Sequence, residues 1–177
     1  MCTATYPFGV VRRTDAPALS VQPAGPEDYE RIARLTLDVY VGGGLSSEGY
    51  PSELADVAGR AMRSELLVVR DDDGEIVGSV ALVLDGDFAE VTESDDEAGF
   101  RMLVVDPAAQ GRGVGELLVT TCLDRARAAG KRRVLISTES RMTAAQRLYE
   151  RLGFTRLPER DWTPTTGIDL LVYARDL

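Results

Sequence analysis

The spacing of hydrophobic positions changes repeatedly along the chain, and each change predicts an element. Leu19 to Pro23 alternates apolar and polar side chains and predicts a short strand. After Pro26-Glu27-Asp28, which places proline and acids at a helix start, Ile32, Leu35, Val39 and Tyr40 recur at helical spacing. That helix ends before Gly42-Gly43-Gly44. Gly42 to Pro51 is rich in glycine and predicts a loop, and Ser52 to Met62 predicts a second helix. The runs Glu65 to Arg70 and Glu75 to Leu84 flank Asp71-Asp72-Asp73-Gly74 and predict a hairpin. Asp85 to Glu97 holds seven acids and no base, which on composition is a solvated loop. Phe100 to Val105 predicts a central strand, stopped by Asp106-Pro107. From Val114 a helix buries Leu117, Leu118 and Cys122, runs to Ala129 and ends at Gly130. Val134-Leu135-Ile136 predicts a strand, and Thr143 to Leu152 a helix with Ala145, Leu148, Tyr149 and Leu152 on one face. Phe154 to Leu157 and Asp169 to Ala174 complete the sheet. Residues 1–18 have Pro7, Gly9 and Pro17 but no periodicity and predict an N-terminal arm, leaving residues 19–177 as one domain.

Composition narrows the chemistry. With 44% hydrophobic and 28% charged residues the chain has the balance of an ordinary globular protein. No apolar run approaches the ~18 residues of a membrane span, and no secretion signal is visible at the N-terminus, so a cytoplasmic protein without membrane partners is expected. The sequence contains no histidine, which removes Ser-His-Asp and Cys-His nucleophilic sites and imidazole-bound zinc. Two cysteines, Cys2 and Cys122, make neither a disulfide framework nor a metal cluster, and no metal site is expected. A net charge of −9 argues against nucleic-acid binding. The charge is also uneven: residues 1–100 carry a net −13 and residues 101–160 a net +6. One half suits an anionic ligand and the other a cationic one.

The most informative stretch runs from Phe100 to Glu116, where a strand ends at Asp106-Pro107, a short loop carries Gly111, Gly113 and Gly115, and a helix begins at once. Glycines let backbone come close to a ligand, and the first amides of a helix have no partner within it. Such a start binds anions, most naturally phosphate, and Arg112 adds a charged donor. The P-loop needs Lys and Ser or Thr after its last glycine, whereas Gly115 is followed by Glu116 and Leu117. Counting Gly-x-Gly-x-x-Gly from Gly111 or Gly113 puts Glu116 or Leu118 at the third glycine, so the dinucleotide fingerprint fails as well.

Gln110, Gly113 and Gly115 after Val-Val-Asp-Pro resemble motif A of the GNAT superfamily of N-acetyltransferases. Ala144-Ala145-Gln146-Arg147-Leu148-Tyr149-Glu150-Arg151-Leu152-Gly153-Phe154 resembles its motif B. The resemblance implies an α/β (α+β) domain, a mixed central sheet with helices on both faces, and transfer of an acetyl group from acetyl-coenzyme A to an amine in a ternary complex. It implies that Gln110, Gly111, Arg112, Gly113, Val114 and Gly115 hold the pyrophosphate, and that Leu103, Val104 and Val105 pair with the pantetheine arm. Tyr149 becomes the expected general acid. The strand glutamate that often serves as base is replaced by Gly99, and Glu97, two residues earlier on the same face, is the candidate in its place. Met142 stands where many members have asparagine. The expected acceptor is a small-molecule or peptide amine of cationic character. A homodimer and a non-catalytic acyl-coenzyme A sensor on the same fold both remain open.

Overall fold

The computed structural model describes residues 19–42, 50–87, 89–165 and 167–177. The N-terminal arm expected over 1–18 and most of the loop expected between Gly42 and Pro51 lie outside them. In chain order the elements are β1 (Ser20–Pro23), α1 (Tyr29–Tyr40), α2 (Tyr50–Ala55), α3 (Val57–Ala61), β2 (Glu65–Arg70), β3 (Ile76–Val83), β4 (Glu97–Val105), α4 (Val114–Ala128), β5 (Arg133–Glu139), α5 (Thr143–Arg151), β6 (Thr155–Arg156), β7 (Trp162–Thr165) and β8 (Ile168–Asp176). The strands form one mixed sheet in the order β1-β2-β3-β4-β5-β8-β6, with β7 added to β8. All described pairs are antiparallel except β4 with β5.

Helices cover both faces, as expected. On one face Leu118, Cys122, Ala126 and Tyr149 from α4 and α5 pack on Val80, Leu82, Ala98, Phe100, Ile136 and Tyr173. On the other, Ile32, Leu35 and Val57 from α1 and α3 cover Leu66, Val68, Ala81 and Val104. That second face changes cover beyond β4. There Val91 from the acidic stretch, with Leu157 and Trp162, packs on Leu135, Val172 and Ala174.

The structure departs from the sequence reading most at three places. The helix expected from Ser52 to Met62 breaks at Asp56, whose side chain accepts from the Gly59 amide and caps a new helix. The central strand begins at Glu97 rather than Phe100, because the last acid of the run already pairs with Arg133. Trp162–Thr165, unassigned from sequence, is a strand paired with β8.

The feature that organises the molecule is a wedge in the sheet. β4 stays paired with β3 to Val105, and β5 stays paired with β8 to Glu139. Between themselves, β4 and β5 pair only at Glu97–Arg133, Ala98–Val134 and Gly99–Leu135. Beyond Gly99 the two strands part.

Candidate active site

The edges of the wedge carry backbone groups that the sheet does not use. Asp106 donates its amide to the Val77 carbonyl, and antiparallel ladders alternate bonded and non-bonded residues. The amide and carbonyl of Val104 therefore face β3, while those of Val105 and Leu103 face the wedge. Ser140, bonded to the Asp169 carbonyl, fixes the phase of β5 in the same way. Ser137 consequently turns its backbone groups to the wedge, whereas the Glu139 carbonyl is taken by the Met142 amide and the Gln146 side chain. β4 is also bulged: Ser79 faces Val104 and Ala81 faces Arg101, so Met102 and Leu103 share Val80. Met102 adopts φ 52°, an uncommon left-handed conformation for a residue with a side chain, as bulges can require.

At the C-terminal end of β4 the glycine loop delivers α4. Asp106 accepts from the Ala108 amide and pairs with Arg31 at 2.9 Å, which fixes the exit from the strand. Gly111 and Gly113 have φ of 76° and 84°, and Gly113 is the N-cap of α4 with no side-chain cap. The first helical bond is made by the Leu117 amide to Gly113, so the amides of Val114, Gly115 and Glu116 open the helix without a helical acceptor. Gln110, Gly111, Arg112 and Gly113 are exposed, and nothing lies within 4 Å of where a Cβ at Gly111 or Gly113 would be. The Val114 side chain is instead buried and offers only its amide. Seating of the helix explains two other glycines: a Cβ on Gly78 would lie 2.5 Å from Val114 Cγ1, and one on Gly115 would lie 3.2 Å from Leu148 Cδ2. The structure thus brings together the wedge edge and the anion-binding turn expected from sequence.

Tyr149 sits on the α4–α5 face of the sheet. Its ring lies 5.9 Å from Phe100, one residue past the last shared rung of β4, and 6.2 Å from Tyr173, which pairs with Ile136 of β5. The ring is therefore over the foot of the wedge. Burial pushes its phenol above the ordinary tyrosine value.

Glu97 is at the closed end of the wedge, apart from Tyr149 and on the opposite face. Both its oxygens accept from Arg160 at 3.0 Å, and one also accepts from the Glu93 amide. Burial alone would raise its carboxyl, but the bonds and charge of Arg160 and the Glu93 amide outweigh it and hold the group below the usual range. A carboxylate so engaged is an anchor. The space in front of Gly99 is filled as well, since a Cβ there would come within 2.6 Å of the Ala89 methyl.

The acidic stretch is a largely exposed loop, as its composition suggests, but it is pinned to the sheet. Ala89 and Val91 are buried, and the carboxylates are drawn to bases from the second half of the chain: Asp85 to Lys131, Glu90 to Arg101, Glu93 and Glu97 to Arg160, Asp96 to Arg132. Much of the charge split seen in the sequence is thus paired within the molecule. The cluster nearest the wedge was not anticipated. Arg101 of β4, only 13% exposed in its side chain, lies on the face opposite Tyr149 between Glu53 of α2 and Glu90, each 3.1 Å away. Glu90 itself has φ 66°. Glu139 is a further buried acid at the end of β5, ion-paired with Arg141.

Comparison with known proteins bears on this arrangement. The profile of the acetyltransferase (GNAT) family matches residues 30–154. A mycothiol acetyltransferase of Gordonia bronchialis is 48% identical over 65 residues, covering 36% of this chain and 21% of the relative. An L-methionine sulfoximine/L-methionine sulfone acetyltransferase of Salmonella typhimurium is 42% identical over 62 residues, covering 32% of this chain and 36% of the relative. The chain thus spans about a fifth to a third of the length of these curated relatives. The solved structure of yncA from Salmonella typhimurium, with its cofactor acetyl-CoA, superposes with a TM-score of 0.65 at 23% identity, over 90% of this chain and 94% of that one.

Proposed function

Because the chain belongs to the acetyltransferase (GNAT) family, we propose that it transfers an acetyl group from acetyl-coenzyme A to an amine by direct attack, with donor and acceptor bound together. The observation that carries this reading is the wedge between β4 and β5, with an open helix N-terminus at one end and Tyr149 over its foot. These residues fit the cofactor: uncapped amides and an exposed Arg112 suit a pyrophosphate, and free strand edges suit an arm that contains amides. Gln110, Gly111, Arg112, Gly113, Val114 and Gly115 hold the pyrophosphate, while Leu103 and Val105, joined through Val104, offer the strand edge. When bound, acetyl-coenzyme A supplies a thioester, an activated acetyl group with a thiolate as its leaving group.

Tyr149 provides the proton for that thiolate, since a phenol is protonated throughout the neutral range. Direct attack suits the one described cysteine, because Cys122 is fully buried with its thiol pushed up to about 12, which leaves no thiolate to carry an acyl group. With the phosphates bound on the α4 side, the acceptor approaches from the opposite face, where Glu53 and Glu90 flank Arg101. Their half-exposed carboxylates attract a cationic amine, whereas Glu97 is nearly buried with both oxygens on Arg160. The acceptor is a small-molecule or peptide amine, and the protein works in the cytoplasm. The Salmonella relative, named for L-methionine sulfoximine and L-methionine sulfone, makes amino-acid-like amines the first compounds to try. A panel of such amines, polyamines and peptides assayed for coenzyme A thiol release tests the reading. Tight acetyl-coenzyme A binding with no thiol release across the panel would favour the sensor instead.

A further inference from the structure

We propose that the contact of Ala89 with Gly99 positions Glu90 for a cationic acceptor amine, so that a glycine and a methyl group set acceptor affinity without touching the acceptor. This rests on the reading above, in which Glu90 flanks the acceptor side, and adds to it the device that puts Glu90 there.

Ala89 is buried and packs with Val83 of β3, which pairs with Gly99 of β4. It therefore lies over the rung that these two residues form. So close an approach requires that Gly99 have no side chain: a Cβ there would stand 2.6 Å from the Ala89 methyl and 3.1 Å from the Leu135 carbonyl oxygen. Anything larger than glycine at this position must displace Ala89. Two residues on, Val91 is buried against Leu135, and its carbonyl accepts from Arg160 at 3.2 Å. Glu90 is thus held between two anchored neighbours. Its φ of 66° is one that a residue with a side chain seldom adopts, and such a conformation persists where the surroundings over-determine it. The Glu90 side chain is too exposed to offset that strain by its own burial, so the anchors on either side hold it. The result is an outward turn that brings Glu90 to Arg101, 3.1 Å away and two residues beyond Gly99 on the same face of β4.

The strand gives up a side chain at Gly99, and the acidic stretch supplies a carboxylate to the same face. Moving one methyl across the contact tests this exchange. Gly99→Ala adds a methyl where Ala89 already has one and should push Glu90 out of place. Ala89→Gly removes the anchor and should let Glu90 wander. The double variant Ala89→Gly/Gly99→Ala carries the methyl on the strand instead and should seat the stretch again.

With a cationic acceptor from the panel, each single variant should raise KM about two- to fivefold, up to the effect of removing one exposed charge. The double variant should return to within about twofold of wild type. Calorimetry with acetyl-coenzyme A should give the wild-type dissociation constant for all three. The decisive readout is coupling to Glu90. In a Glu90→Gln background neither Gly99→Ala nor Ala89→Gly should raise KM further, whereas a general disturbance of the site would add to it. Additive rises in KM would overturn the proposal, as would wild-type KM in both single variants or weakened acetyl-coenzyme A binding. Should Gly99→Ala fail to fold, Ala89→Gly with and without Glu90→Gln decides the question in the same way. If Glu90→Gln itself left KM unchanged, the acceptor reading would fall first. A raised KM in Glu90→Gln beside wild-type KM in both single variants would strike the Ala89–Gly99 contact alone.

Discussion

On the α4 side of the wedge the groups on offer are backbone amides, placed by Gly111, Gly113 and the strand edge of β4. On the other side they are long charged side chains, brought together from α2, β4 and the acidic stretch by salt bridges such as Arg101 with Glu53 and Glu90. A backbone site depends on a few local φ values, and a charge added at one of its glycines stands directly against the ligand. A site made of side chains depends on partners distant in sequence, and each can be exchanged with a graded loss. The two sides should therefore respond to mutation with different severity.

The largest effect is expected at Gly113. An Asp there would put a carboxylate beside the proposed pyrophosphate, and at ~4 Å with an effective dielectric near 20 such repulsion is worth about 4 kcal/mol. Gly113→Asp should weaken coenzyme A binding by roughly 10²–10³-fold. Gly113→Ala separates charge from conformation, since its methyl meets open space and only the φ of 84° opposes it. That variant should lose about 1–2 kcal/mol of folding stability and retain most binding. Calorimetry and thermal melts on both variants measure the contrast. Equal affinities for coenzyme A would show that the phosphates are held elsewhere.

Tyr149→Phe comes next. The phenyl ring preserves the contacts with Phe100, Phe154 and Tyr173, so folding should be little altered. Loss of the proton donor should lower kcat by about 10²-fold, the lower end for general acids because a thiolate leaves readily. The acetyl-coenzyme A dissociation constant should hardly move. A variant with wild-type kcat would leave Tyr149 as packing alone, while a loss confined to cofactor affinity would make it a binding residue.

Arg160→Gln probes the acidic stretch from its anchor. Breaking the Arg160–Glu97 pair strands a nearly buried carboxylate, and a cost of about 1–3 kcal/mol is expected, below that of a fully buried pair because Arg160 is 19% exposed. The pH dependence gives the sign. Glu97 is held below its ordinary value when folded, so its contribution is complete above the unfolded glutamate value of about 4.3 and is lost as pH falls through the folded one. The gap between wild type and Arg160→Gln should therefore be full at neutral pH and close on acidification below about pH 4. Urea titrations at a series of pH values would show it. A gap that stays constant down to pH 3 would mean that Glu97 is not its source.

The same contrast governs what the sequence made legible. Gly111 and Gly113 stand within a few residues of the helix they start, and the Asp71 to Gly74 turn joins adjacent strands, so local pattern was enough for both. Glu97 looked like loop because acids disfavour strands, and only the distant Arg160 and Arg133 make it one. Asp56 as a helix break was readable in principle as an N-cap, but the apolar spacing ran through it. β7 was missed because Trp162-Thr163-Pro164-Thr165 is short and contains a proline. The Arg101 cluster spans α2, β4 and the acidic stretch, with Glu53 and Arg101 separated by 48 residues, and no window of sequence holds such a contact.

The smallest effect is expected on the acceptor side, from Glu90→Gln. Glutamine keeps the length of the side chain and can still meet Arg101, but it removes one negative charge from a pair in which Glu90 is 38% exposed. An exposed charge contributes about 0.2–1 kcal/mol to an ionic contact, which corresponds to about a 1.4- to fivefold rise in KM for a cationic acceptor. The acetyl-coenzyme A constants should not change, because the proposed cofactor site lies on the other face. Salt provides the internal control. Raising ionic strength screens exposed charges, so wild-type KM should climb toward that of Glu90→Gln, whose own value should respond less. If Glu90 also takes the proton from the amine, kcat will fall in addition, and a more acidic acceptor amine should restore part of it. A neutral acceptor giving the same KM ratio would show that Glu90 acts through the position of Arg101 and not through charge. Glu53→Gln, which perturbs the other flank of Arg101 from α2, then decides whether the arginine or its acids face the acceptor.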